Sequence, residues 1–193
     1  MQTLVLATNN QGKLNEMLAL LPGKDVQPQG AFFKEEAVEN GLTFLENALI
    51  KARFASEKTG LPAMADDSGI EVAALNGEPG IYSARYAGEG ATDTQNLYKL
   101  LEAMHDVPDG ERQASYYCAM VCVRHAKDPT PLIGIGRWHG EILRQPQGEG
   151  GFGYDPIFYI PELACTAAQL EADTKNQISH RAQALRDLVA QLV

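Results

Sequence analysis

Two residue pairs spaced three apart, Thr43 with Glu46 and Thr92 with Gln95, each stand at the head of an apolar pattern of helical period. In such a pair the hydroxyl takes the N–H of the third helical residue and the longer side chain reaches back, so each pair predicts a helix start. The first helix runs to about residue 58 and buries Phe44, Ala48, Leu49 and Ala52, while the second carries Leu97, Leu100, Leu101 and Met104. Residues 3–8 are short, apolar and β-prone, and Leu14, Met17, Leu18 and Leu21 follow at helical spacing, giving strand, loop and helix. Residues 113–125, rich in Tyr, Met and Val without Gly or Pro, predict a long strand. Residues 131–144 predict a strand or bent hairpin partner, with Gly134, Gly136 and Gly140 as expected bulges. Ser179 is placed to cap a last helix with Ala182, Leu185, Leu188, Val189 and Leu192 on its inner face. Strands and helices alternate early and strands cluster in the middle, which predicts an α/β fold with a mixed sheet.

A length of 193 residues without repeats or a composition break fits one domain, residues 1–193. Sixteen Lys and Arg face 25 Asp and Glu, a formal charge of −9, so no global field draws the chain onto a nucleic acid polymer or an anionic membrane. An anionic ligand must therefore be held by a local site. The longest apolar stretches, such as residues 4–7 and 17–21, fall well short of the ~18 residues of a membrane helix. No basic leader with an apolar core opens the chain, so the expected compartment is the cytoplasm. Cys118, Cys122 and Cys165 are odd in number and form no C-x-x-C pair, which predicts buried thiols rather than disulfides or zinc. His105, His125 and His139 lack ligand spacing, and Ser68-Gly69 is no nucleophile elbow.

Several segments carry residues suited to chemistry, each with a plain structural alternative. Thr8-Asn9-Asn10-Gln11-Gly12-Lys13 lies where a strand feeds a helix, so backbone N–H groups, the helix dipole and one lysine can hold phosphate there; a polar turn fits equally. Asp66 and Asp67 are adjacent at a predicted strand end, so they point to opposite faces and only one serves a given cleft. A carboxylate there can bind Mg²⁺ or take a proton from water, or simply cap a turn with Ser68. Glu35, Glu36 and Glu39 read as a solvated turn from which one carboxylate could complete a metal site. GEGGFGYDP, residues 148–156, puts Phe152 and Tyr154 on a loop, either to stack on a base or to tuck into the core. Lys175, His180 and Arg181 gather donors near the final helix start, for an anion or carbonyl oxygen or as a surface cluster.

Taken together, LVLATNNQGKLNEM, GLTFLENALIKA, ADDSGIEVAALNGEPGIYSARYAG, GGFGYDPIF and ISHRAQAL resemble, in that order, the inosine/xanthosine triphosphate pyrophosphatase family. The resemblance implies Mg²⁺-dependent hydrolysis of non-standard purine nucleoside triphosphates (ITP, dITP, XTP) to the monophosphate and pyrophosphate. It implies a long mixed β-sheet flanked by helices, in two lobes with a central cleft, and a homodimer. By the same resemblance Thr8, Asn9, Asn10, Gln11, Gly12 and Lys13 hold the triphosphate and Lys51 adds a cation. Asp67 is implied as proton acceptor and Mg²⁺ ligand, Glu39 as the other metal carboxylate, and Ser68 as a substrate contact. Phe152 stacks on the purine, Gly153, Tyr154 and Asp155 shape its pocket, and Lys175, His180 and Arg181 hold the base and its 6-oxo edge. A pyrophosphatase for other modified nucleotides and a non-catalytic nucleotide sensor are the alternatives.

Overall fold

The computed structural model describes residues 3–191. In chain order they form β1 (Leu4–Leu6), α1 (Gln11–Leu20), β2 (Val26–Pro28), α2 (Phe44–Thr59), β3 (Ala63–Val72) and α3 (Asp93–Ala103). There follow β4 (Gln113–Val123), β5 (Leu132–Ile142), β6 (Phe158–Ile160), β7 (Cys165–Thr166), α4 (Ala172–Ile178) and α5 (His180–Val189). The strands make one seven-stranded sheet in the order β2-β1-β3-β4-β5-β6-β7. β1 is parallel to β2 and β3, whereas β6 is antiparallel to β5 and β7, so the fold is α/β with a mixed sheet. Both capping boxes form as the sequence predicts, at Thr43 with Glu46 and at Thr92 with Gln95. Ser179 caps α5 by accepting the Ala182 N–H. Among the described residues no helix is long and apolar enough to cross a membrane.

The chain gathers into two compact units. The first comprises Met1–Asp67, Cys118–Gly136 and Ser179–Val193. Its strands alternate strictly. Val5, Ala7, Ala63 and Ala65 pack under Ala48, Ala52 and Ala55 of α2, while Leu6 and Met64 pack on the opposite side against Met17 of α1 and Leu185 and Leu188 of α5. The alanine face lets α2 lie close to the sheet, and the larger residues fill the space under α1 and α5. The second unit, Ser68–Tyr117 and Arg137–Ile178, centres on Tyr116, Trp138 and Phe158, packed in one cluster with Leu97 and Leu100 of α3 and its C-cap Met104. The three ring centroids lie 4.6 to 6.3 Å apart, a separation that adds roughly 0.5–1.5 kcal/mol per pair beyond burial.

Four local expectations need correction. β5 runs unbroken from Leu132 to Ile142, and Gly134 and Gly136 are not bulges but the floor on which α5 sits: an added Cβ would collide with the carbonyl oxygens of Ala184 and His180. Asp66 and Asp67 lie inside β3 rather than at a strand end. Val189 is partly exposed instead of facing inward, because α5 ends there, and Leu192 lies outside the described residues. Of the cysteines only Cys118 is fully buried; Cys122 and Cys165 are half-buried.

Candidate active site

The alternation of β3 decides where its two carboxylates go. Asp66 follows Met64 onto the α1 and α5 side, and Asp67 follows Ala65 onto the α2 side. Both are buried. Asp66 Oδ2 takes an ion pair from Lys13 Nζ at 3.1 Å and two hydrogen bonds from Arg181, at 3.2 Å from Nε and 3.1 Å from Nη2. Burial pushes the Asp66 pKa up, but the charges of Lys13 and Arg181 outweigh it and hold the carboxyl far below the usual range. Arg181 Nη1 also donates to Glu16 on α1. The Arg181 side chain is 1% exposed and is held by two carboxylates. The buried Cys118 thiol lies 3.9 Å from Asp66, and burial together with that negative charge pushes it up to about 12, leaving it protonated and inert at neutral pH.

On the other face, Lys51 Nζ on α2 sits 2.9 Å from Asp67 Oδ1 and 3.2 Å from Glu39 Oε2. Burial opposes the Lys51 charge, but Asp67, Asp66 and Glu39 outweigh it and raise the pKa. The structure thus brings Glu39, Lys51 and Asp67 together. Around these two faces the carboxylates of Glu16, Glu39, Asp66 and Asp67 interleave with the cations of Lys13, Lys51 and Arg181. Among the described residues no group of three or more His, Cys, Asp and Glu side chains gathers as a metal cluster. A site of one or two carboxylates fits Mg²⁺ nonetheless, since that ion completes its octahedron with water and substrate phosphate.

The predicted phosphate loop is shorter than expected. Thr8, Asn9 and Asn10 form the turn, while Gln11, Gly12 and Lys13 are already the first turn of α1. Asn10 caps the helix by accepting the Lys13 N–H at 3.0 Å, and Thr8 Oγ1 accepts the Asn10 N–H at 3.1 Å. Asn9 donates to Glu36 at 2.9 Å. Gln11 is turned along the helix to Asn15. With Lys13 on the first turn of the helix, the α1 amides and one ammonium share one end. His180 opens α5 and is buried.

In the second unit Asp155, 2% exposed, organises the glycine-rich loop. Its Oδ2 accepts the Phe152 N–H at 2.9 Å and the Lys175 ammonium at 2.5 Å, and its Oδ1 accepts the Tyr116 hydroxyl at 3.1 Å. Lys175 Nζ lies 4.8 Å from the half-buried Phe152 ring centroid, a cation–π distance. The Gly153 N–H donates to Asp93 at 2.9 Å. The Tyr154 side chain belongs to the core and its hydroxyl donates to the Ser83 carbonyl at 2.7 Å, so it supports the loop from beneath. Ser68, which follows Asp67 on β3, is half-buried.

Sequence reasoning missed Glu16, Asn47 and Tyr116. Glu16 stands three residues after Lys13, and Asn47, inside the GLTFLENALIKA motif, four before Lys51, spacings on one helix face that offered a signal; nothing local marked Tyr116.

The chain matches the Ham1 family over residues 4–191. It belongs to that family. It is 59% identical over 188 residues to the dITP/XTP pyrophosphatase of Photorhabdus laumondii, covering 96% of this chain and 95% of that protein. Identity to the dITP/XTP pyrophosphatase of Vibrio cholerae is 58% over 190 residues, covering 97% and 95%. A solved Ham1-family structure, a HAM1 protein from Coxiella burnetii, matches with a TM-score of 0.91 at 50% identity, over 100% of this chain and 98% of that one.

Proposed function

We propose that this chain hydrolyses non-standard purine nucleoside triphosphates, ITP, dITP and XTP, to the monophosphate and pyrophosphate. The observation that carries the reading is the Lys51 ammonium shared by Asp67 and Glu39, set in a unit whose α1 start presents Lys13 and the first-turn amides. The curated relatives that bear the name dITP/XTP pyrophosphatase support the substrate class. Water adds at the α-phosphorus, the bond from that phosphorus to the α–β bridging oxygen breaks, and the electron pair leaves with pyrophosphate. Asp67 orients the water and accepts its proton on a carboxylate oxygen. Lys13 and the α1 amides bind phosphate oxygens and draw off the charge that builds on the leaving group. Mg²⁺ held by Glu39 and Asp67 would neutralise triphosphate charge and polarise the phosphoryl oxygens.

In the second unit the half-buried Phe152 ring offers a stacking face for a purine, and Lys175, held by Asp155 beside that ring, is assigned to the base on the family resemblance. His180 and Ser68 remain assigned to substrate on the family resemblance. Arg181 we assign instead to fixing Asp66, and through it Lys13. A homodimer and a cytoplasmic location belong to the same reading. Phosphorus NMR of ITP turnover with Mg²⁺ tests the bond that breaks. IMP with pyrophosphate is the expected product pair; IDP with phosphate, or binding without turnover, contradicts the proposal.

A further inference from the structure

Asn47 lies 2% exposed in the opening turns of α2, a place that helix propensity does not favour for asparagine. Its two amide atoms face different things. Oδ1 accepts the Gly41 N–H at 2.9 Å, and Nδ2 donates to Asp67 Oδ2 at 3.3 Å. A backbone N–H can only donate, so the Gly41 bond fixes Oδ1 on that side and forces the NH₂ toward Asp67. Gly41 is obligatory for the approach: a Cβ there would lie 2.6 Å from Glu46 Cβ and 2.7 Å from Asn47 Oδ1.

Lys51 stands four residues further along the same helix face and takes the other oxygen, Asp67 Oδ1, at 2.9 Å. One rigid helix therefore grips both oxygens of the carboxylate and fixes its rotation. Through Gly41 it also anchors the segment that carries Glu39, two residues upstream.

We propose that Asn47 is a positioning residue for the reaction, one that holds the Asp67 carboxylate in the orientation needed to take a proton from water and sets the Glu39 segment beside it. This rests on the assignment of Asp67 as proton acceptor. The experiment compares Asn47→Asp, Asn47→Ala, Asp67→Asn and the double variant N47D/D67N, by steady-state kinetics on ITP and by thermal melting without nucleotide or divalent metal. Asn47→Asp keeps the acceptor for Gly41 and turns the donor into a carboxylate opposed to Asp67. Its kcat should fall ~10- to 100-fold, as a misoriented catalytic group does. KM should change much less than kcat, since carboxylate orientation weighs more on proton transfer than on ground-state binding. Its Tm should drop, and adding Asp67→Asn should restore most of that drop, because the amide and carboxylate have then exchanged sides. If Asn47→Asp does not fold, Asn47→Ala carries the same split between kcat and KM, and the recovery of folding in N47D/D67N replaces the melt. A wild-type kcat in both Asn47 variants, or no recovery in the double variant, overturns the inference while leaving the Asp67 assignment intact. A fully active Asp67→Asn protein overturns that assignment instead.

Discussion

Asp67→Asn is expected to lower kcat for ITP by ~10²-fold or more while the protein stays folded, since the change keeps the volume and removes the proton acceptor and metal charge. The amide oxygen can still accept from Lys51, which also keeps Glu39 at 3.2 Å, while the new NH₂ faces the Asn47 NH₂ donor to donor, so a modest drop in Tm accompanies the loss of rate. Near-normal turnover with an unchanged melt would remove Asp67 from the chemistry. Asp66 is no substitute candidate: its Oδ2 is held by Lys13 and Arg181 on the opposite face of the strand.

Asp66→Asn should instead damage stability. Arg181 is 1% exposed, and neutralising Asp66 takes from this buried guanidinium one of the two carboxylates that balance it. Breaking one partner of a buried ion pair costs about 3–5 kcal/mol, which for a chain of this length lowers Tm by roughly 10 °C. The pH dependence follows from the sign of the Asp66 shift. Burial opposes its charge, Lys13 and Arg181 more than compensate, and the folded pKa lies below the ordinary value of 3.8. As pH falls below that ordinary value the unfolded chain takes up a proton that the folded chain does not, so the contribution of Asp66 is complete above about pH 5 and shrinks on acidification. The Tm gap between wild type and Asp66→Asn should therefore be widest near neutrality and narrow below about pH 4. A gap absent at pH 7, or one that widens in acid, contradicts the account of this pair.

Local signals in the sequence carried through to the structure. Thr43 with Glu46, Thr92 with Gln95 and Ser179 start helices as predicted, because capping depends only on residues three apart. Strand alternation likewise sent Asp66 and Asp67 to opposite faces. What stayed hidden was non-local. Arg181 reads in sequence as a donor for substrate near a helix start, but its partner Asp66 is 115 residues away and Glu16 is 165 away, so no window of sequence reveals that its guanidinium is already committed. Gly134 and Gly136 carried the composition of a bulge, and only the approach of α5 explains them. Tyr116 and Asp155, 39 residues apart, and Asn47 and Asp67, 20 apart, meet for the same reason. The recognition motifs marked the residues of the candidate site; the partners that hold those residues were set by tertiary packing.

The most direct measurement is pyrophosphate release by the wild-type protein with Mg²⁺ on ITP, XTP and ATP, reported as kcat/KM. On the proposed reading the 6-oxygen of the base accepts a hydrogen bond from a donor that the 6-amino group of adenine would meet donor to donor, and a site built around a polar contact rejects the wrong partner by ~10²-fold or more. ITP and XTP should therefore be turned over with kcat/KM at least ~10²-fold above ATP. Equal efficiency on ATP, or no pyrophosphate from ITP, would contradict the reading of this chain as a pyrophosphatase for non-standard purine nucleotides.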